Sequence, residues 1–205
     1  MTTASDVQIR IRSAKEAKRW VHGWPTTVVS LVNPEDTHLI ATSPRPDLKA
    51  LRLLFADVTD PDHEYAATDA DVAQLIALGG SLVDGEKLLF HCRGGIGRSP
   101  AAAIICLVAA GWSPSTAVDL VRIERPTAKP NGWMLLLADR ALTPLQRGGV
   151  FSAYVQWAGR QDWWHPLPGT IVQDAVAGRL SRDGCIDLVK AQTHRLRGVD
   201  RGPHR

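Results

Sequence analysis

Cysteine is scarce in this 205-residue chain. The three present, Cys92, Cys106 and Cys185, cannot build a disulfide framework, and no Cys/His cluster has zinc-ligand spacing. That scarcity excludes a secreted, disulfide-stapled scaffold and is the usage expected of a reduced, cytoplasmic compartment. Long apolar runs are missing too. The longest, residues 101–111, is too short to cross a bilayer. The opening stretch MTTASDVQIRIRSAKEAK has no apolar core of the kind a secretory signal carries. Nor is there a surplus of one charge. Lys and Arg number 24 against 21 Asp and Glu, a formal +3, too small an excess to announce nucleic acid or an anionic membrane. Repeats and low-complexity tracts are also absent, so collagenous and coiled-coil readings fall away. What remains is globular composition, 44% apolar and 22% charged, in a chain long enough for one domain with a real core.

The first two thirds alternate strand-like and helix-like stretches. Residues 7–11 alternate apolar and polar, and Ser13-x-x-Glu16 has the spacing of a capping box opening a helix that Gly23 closes. Residues 27–32 form a β-branched run stopped by Asn33-Pro34, and 51–55 a second short strand. Thr68-x-x-Asp71 starts a helix in which Val72, Leu75, Ile76, Leu82 and Val83 recur at helical spacing. Residues 87–91 (KLLFH) read as a buried strand, 98–111 as an apolar helix rich in small residues, and Ser113-Pro114 as a further helix start. Pro130-Asn131 precedes a helix over 133–142. The pattern predicts an α/β fold, a central sheet of about four or five strands flanked by helices. From Thr143 the character changes: nine Lys/Arg stand against five Asp/Glu, leaving fifteen against sixteen before it. We therefore read 1–142 as one domain and 143–205 as a C-terminal extension. Its stretch 151–164 packs, and its basic end, 194–205, frays.

One segment carries chemistry: Leu88-Leu89-Phe90-His91-Cys92-Arg93-Gly94-Gly95-Ile96-Gly97-Arg98-Ser99-Pro100. A strand ends, a cysteine follows, and three glycines lead through a short loop into an arginine, a serine and a helix. Glycines allow a tight turn whose N–H groups converge on one concavity, a nest for an anion. The helix adds free N–H groups and the positive end of its dipole. A thiol at the base of that nest is favoured as its thiolate. Arg98, six residues after Cys92, brings a planar fork that grips two phosphate oxygens. Sulfur below, guanidinium above and amides around the equator suit in-line attack on a phosphomonoester.

His91-Cys92-x5-Arg98-Ser99 resembles the signature of the cysteine-based protein tyrosine phosphatase superfamily, closest to its compact, dual-specificity-like bacterial branch. Weaker likeness extends over about 26–142 and stops before the extension. The resemblance implies that Cys92 is the nucleophile of a phosphocysteine intermediate and that Arg98 binds phosphate. It also implies that Ser99 assists departure of the thiolate, that His91 orders the loop from behind, and that no metal or other cofactor is needed. Arg93, Gly94, Gly95, Ile96, Gly97 and Arg98 would form the phosphate-binding loop. The implied substrate is protein phosphotyrosine, with dual specificity in reach. Phosphoinositide or inositol-phosphate hydrolysis is the alternative activity, and a phosphate-binding pseudophosphatase the alternative without turnover. The expected partners are a phosphorylated protein or small phosphomonoester, with no nucleic acid and no membrane span.

A proton donor for the leaving group is also required, and the superfamily takes it from a loop after an earlier strand. Asp57 lies 35 residues before Cys92 and Asp60 lies 32 before it. We favour Asp57, which leaves the strand end on the same rim, keep Asp60 as the rival, and place Asp62 third. Arg93 reads as a solvated loop residue rather than an extension of the positive field, Cys106 as core, and Cys185 as incidental. His63 beside Asp62 and Glu64 is poor ligand geometry and reads as a surface acid cluster. Trp157, Trp163 and Trp164 read as satellite core.

Overall fold

The computed structural model describes residues 6–142 and 149–158, with side chains in the last helix through Tyr154. Cys185, Trp163, Trp164 and the basic end lie outside the described residues, as does the side chain of Trp157. β1 (Gln8–Ser13) runs straight into α1 (Ala14–Trp20). The expected capping box forms at that junction. Ser13 Oγ accepts from the Glu16 N–H at 3.3 Å, and the Glu16 carboxylate accepts from the Ser13 N–H at 2.8 Å. The Ser13 hydroxyl and N–H together hold the Glu16 carboxyl below its ordinary range. Then come β2 (Thr27–Val32), a 3-10 turn (Pro34–Leu39), β3 (Lys49–Leu54), α2 (Asp69–Gly80), β4 (Lys87–Cys92), α3 (Arg98–Ala109), α4 (Pro114–Glu124), α5 (Gly132–Ala141) and α6 (Gly149–Ala158).

The strands form one parallel sheet in the order β1-β4-β2-β3. Parallel sheets need cover on both faces, and the period of two sorts the side chains accordingly. Ile9, Ile11, Val29, Leu31, Leu88 and Phe90 join the large core built with α3, α2 and α5. Val28 and Leu89 join a smaller core under α1, with Ala17, Val21 and Ala41. α3 is buried from Arg98 to Val108, so its N-terminus is held rigidly against the end of β4. α6 packs on α4 and α5, placing Val150, Phe151 and Tyr154 in the large core.

Several boundaries differ from the sequence expectation, each for a local reason. Leu82 and Val83 keep the apolar spacing of α2, yet the helix ends at Gly80. Gly79 lies so close under α3 that a Cβ there would come within 2.9 Å of the Cys106 Cα. The chain then turns at Ser81, whose hydroxyl donates to the Leu78 carbonyl at 2.8 Å. Leu82 remains in the core while Val83 is 61% exposed. α3 stops at Ala109 rather than Gly111. Gly111 instead takes a left-handed φ of +101°, and the Trp112 N–H reaches back to the Leu107 carbonyl at 3.1 Å. β3 ends at Leu54, one residue before Phe55. α1 ends at Trp20, before Gly23, and α5 starts at Gly132 because Asn131 caps it.

Candidate active site

Strand order brings four strand ends to one edge, with β4 between β1 and β2, where open α/β sheets bind ligands. β4 delivers Cys92, β2 delivers Asn33, β3 delivers Phe55 and Asp57, and the β1–α1 junction lies under the loop. Residues 93–97 cross from Cys92 to α3, and their carbonyls are held from outside. Arg93 O accepts from the Ala14 N–H at 3.2 Å, Ile96 O from the Lys129 N–H at 2.8 Å and Gly97 O from the Asn131 N–H at 3.1 Å. Gly94 O accepts from the Arg125 guanidinium at 3.1 Å. Arg125 also faces Glu16 at 3.6 Å. With four carbonyls engaged behind the loop, its amides are left for the concavity.

Two glycines permit this path. Gly95 has φ +70°, and a Cβ on it would lie 2.7 Å from the Arg12 carbonyl carbon and 2.9 Å from the Ser13 nitrogen. Only glycine fits there. At Gly97 a Cβ would run into the Asp57 carboxylate. Cys92 is buried, and its Sγ receives the Gly95 N–H at 3.3 Å and the Ser99 O–H at 3.3 Å.

Arg98 is 3% exposed. Its Nη1 donates to Asn33 Oδ1 at 2.9 Å and to the Phe55 carbonyl at 2.5 Å, which locks the plane of the guanidinium. Its Nε is buried with no hydrogen-bond acceptor, and Asp57 Oδ2 stands 3.9 Å away. A cavity of about 420 Å³ opens here, lined by Cys92, Arg98, the loop, Asn33 and Asp57.

His91 lies on the opposite face of the sheet from Cys92. Register pairs it with Ser30, whose Oγ is 2.7 Å from His91 Nε2, and the Ala41 N–H donates to the same nitrogen at 3.2 Å. Nε2 is therefore an acceptor and the ring proton sits on Nδ1. Burial pushes the His91 pKa down to about 4, only partly opposed by the Cys92 main chain.

The two candidate acids part company. Asp57 lines the cavity beside Cys92 and Arg98, and its Oδ1 accepts from the Asn131 amide at 2.9 Å. Asp60 lies farther out and closes its own turn, its Oδ1 accepting from the Asp62 N–H at 3.0 Å. The Arg93 side chain is 75% exposed and faces Asp36 at 3.7 Å, while its main chain belongs to the loop. Ile96 projects from the rim, 41% exposed. Cys106 is in the core, its thiol donating to the Leu75 carbonyl, and burial pushes its pKa well above the ordinary thiol range. His63 Nδ1 accepts from the Tyr65 N–H at 3.1 Å. Among the described residues no group of three His, Cys, Asp or Glu is placed to hold a metal ion.

The sequence reading missed Asn33 and Asn131. Asn33 looked like the stop of a strand and Asn131 like the prelude to a helix. Asn131 caps α5 by accepting from the Met134 N–H, and it binds both the Gly97 carbonyl and Asp57. Their signal was position alone: an amide side chain at a strand or helix end.

No protein-family profile and no curated protein matches the chain. Solved structures of similar fold include human DUSP28, 19% identical over 64% of this chain and 89% of that one, with a TM-score of 0.47. A mouse putative dual specificity phosphatase complexed with zinc tungstate is 21% identical over 68% and 83%, with a TM-score of 0.48. PTPMT1 in complex with PI(5)P is 14% identical over 75% and 94%, with a TM-score of 0.45.

Proposed function

We propose that the chain hydrolyses phosphomonoesters through a phosphocysteine on Cys92, with protein phosphotyrosine as its principal substrate. One observation carries the reading: the buried Arg98 guanidinium, locked through Nη1, keeps an Nε with no hydrogen-bond acceptor beside the cavity that holds Cys92 Sγ. A buried, unsatisfied N–H on a cation costs free energy unless an anion takes it. A phosphoryl oxygen is the acceptor that also suits the loop amides.

In the first step Cys92 Sγ attacks phosphorus in line, forming the S–P bond as the ester P–O bond breaks. Asp57 gives its proton to the departing oxygen. Loop amides and Arg98 meet the charge on the three equatorial oxygens, and donors already in place need no reorganisation. In the second step water attacks phosphorus, the S–P bond breaks, and the Asp57 carboxylate takes the water proton. The Ser99 O–H, already directed at Sγ, eases the thiolate out. Inorganic phosphate and the free alcohol or phenol are the products. His91 and Asn131 act as positioning residues, one behind the loop and one between the loop and the acid.

The test is turnover of an aryl phosphate by the full chain with vanadate as inhibitor. Cys92→Ser is expected to abolish turnover while still binding vanadate, because the serine hydroxyl is far less ionised than a thiol in the same nest. Substantial hydrolysis by Cys92→Ser would remove Cys92 as the nucleophile.

A further inference from the structure

A second cavity, of about 590 Å³, opens beside the first. The two share Asp57, Val58, Ile96 and Gly97. Resting on the phosphatase reading, this adjacency fixes what belongs in the second space. The proton donor must touch the leaving oxygen, so the body of the leaving group lies on the far side of Asp57 from Cys92. There the walls are mostly apolar: Val58, Ile96, Pro130 and the ring of Tyr154, which reaches in from α6. The charged groups among the lining residues are Asp57, Asp60 and a single cation, Lys129.

We propose that this cavity is the leaving-group site, that α6 completes it through Tyr154, and that it selects esters carrying a single phosphate on an aryl group. An aryl ring gains from apolar walls and an aromatic neighbour. With Asp57 holding the proton it donates, a polyol bearing further phosphates meets the Asp60 carboxylate and a single ammonium, and it gains nothing from the apolar walls, so its extra phosphates are left without the cations they need. Tyr154 is the specificity-determining residue. Its position belongs to the helix that follows residue 142 and not to the signature loop.

Gly132 offers a test at the edge of the cavity. It is the first residue of α5, its φ is not in the left-handed region, and a Cβ on it would stand 3.4 Å from Tyr154 Cε1, an ordinary contact. Gly132→Leu therefore sends a side chain into the cavity beside the Tyr154 ring. Its KM for a phosphotyrosine peptide is expected to rise about tenfold, as loss of ground-state and transition-state contacts alike would read out. Vanadate inhibition, which probes only the cradle, should stay within about twofold in the same variant. Tyr154→Ala should shift KM in the same direction. The unmodified chain should hydrolyse the phosphotyrosine peptide with a kcat/KM at least about tenfold above that for an inositol bisphosphate. An unchanged peptide KM in Gly132→Leu, or preference for the bisphosphate, overturns the inference while leaving the cradle chemistry standing. Absence of all turnover and of vanadate binding in the unmodified chain overturns the phosphatase reading and this inference with it.

Discussion

Protonating His91 would put a second N–H against the Ala41 N–H that Nε2 accepts, inside a space closed to water. The ring therefore resists its proton until the pH reaches about 4, against an ordinary value of 6.5. Between those two values the unfolded chain binds a proton that the folded chain refuses. Stability thus rises with pH across that window, is fully present above 6.5, and is lost as pH falls toward about 4. The amount is on the order of 3 kcal/mol at about 1.4 kcal/mol per pH unit. Urea midpoints taken from pH 7 to pH 4.5 should fall in the natural chain and fall less steeply in His91→Gln. Equal slopes would assign the loss to other groups. The acid is tested by leaving groups. A positioned proton donor contributes roughly 10²–10⁴-fold, and an activated aryl phosphate needs it least. Asp57→Asn should slow a phosphotyrosine peptide far more than the activated ester, whereas Asp60→Asn should show no such selectivity. The reverse pattern would hand the proton to Asp60.

At the scale of elements, the loop works because β1 and α1 press against its back. Gly95 is the contact point, with backbone on its Cβ side and a positive φ. Gly95→Ala combines a left-handed conformation costing about 1–3 kcal/mol with an overlap that only backbone movement relieves. We expect vanadate binding to be lost with most helical content retained. Gly80→Ala is the matched control, since a Cβ at the end of α2 meets nothing within 4 Å and alanine is the better helix former by up to about 1 kcal/mol. Full vanadate affinity in Gly95→Ala would mean the cradle is softer than its packing implies.

For the whole molecule, α6 is joined to the rest by burial. Val150, Phe151 and Tyr154 are at most 5% exposed and share the large core, and the Val150 N–H donates to buried Asp139 at 3.2 Å. A chain ending at residue 142 would uncover the faces of α4 and α5 that these residues cover. At about 1.5–3 kcal/mol for each buried side chain, the loss is roughly 4–9 kcal/mol, a large share of an ordinary domain's stability. The urea midpoint should drop accordingly. A midpoint equal to that of the full chain would establish 1–142 as a self-sufficient unit.

Residue type and spacing were enough to read the loop. Cys92, three glycines, Arg98 and Ser99 between an apolar strand and an apolar helix specify a tight strand-to-helix loop whose path is local in sequence. The alternation of β-branched runs with capped helices likewise announced a covered sheet, and Ser13, Thr68 and Ser113 marked helix starts because capping acts within three residues. Helix ends were less legible, since Gly79 under α3 is a contact between elements distant in the chain. The choice between Asp57 and Asp60, three residues apart on one loop, depends on which of them reaches Arg98 and Asn131. Asn33, Asn131 and Tyr154 carried no mark of their own. They come to the cradle and its neighbouring cavity only because β4 inserts between β1 and β2 and because α5 and α6 pack beside them. Contacts of that kind are set by packing between elements separated by tens of residues of intervening chain, where no periodicity in the sequence can record them.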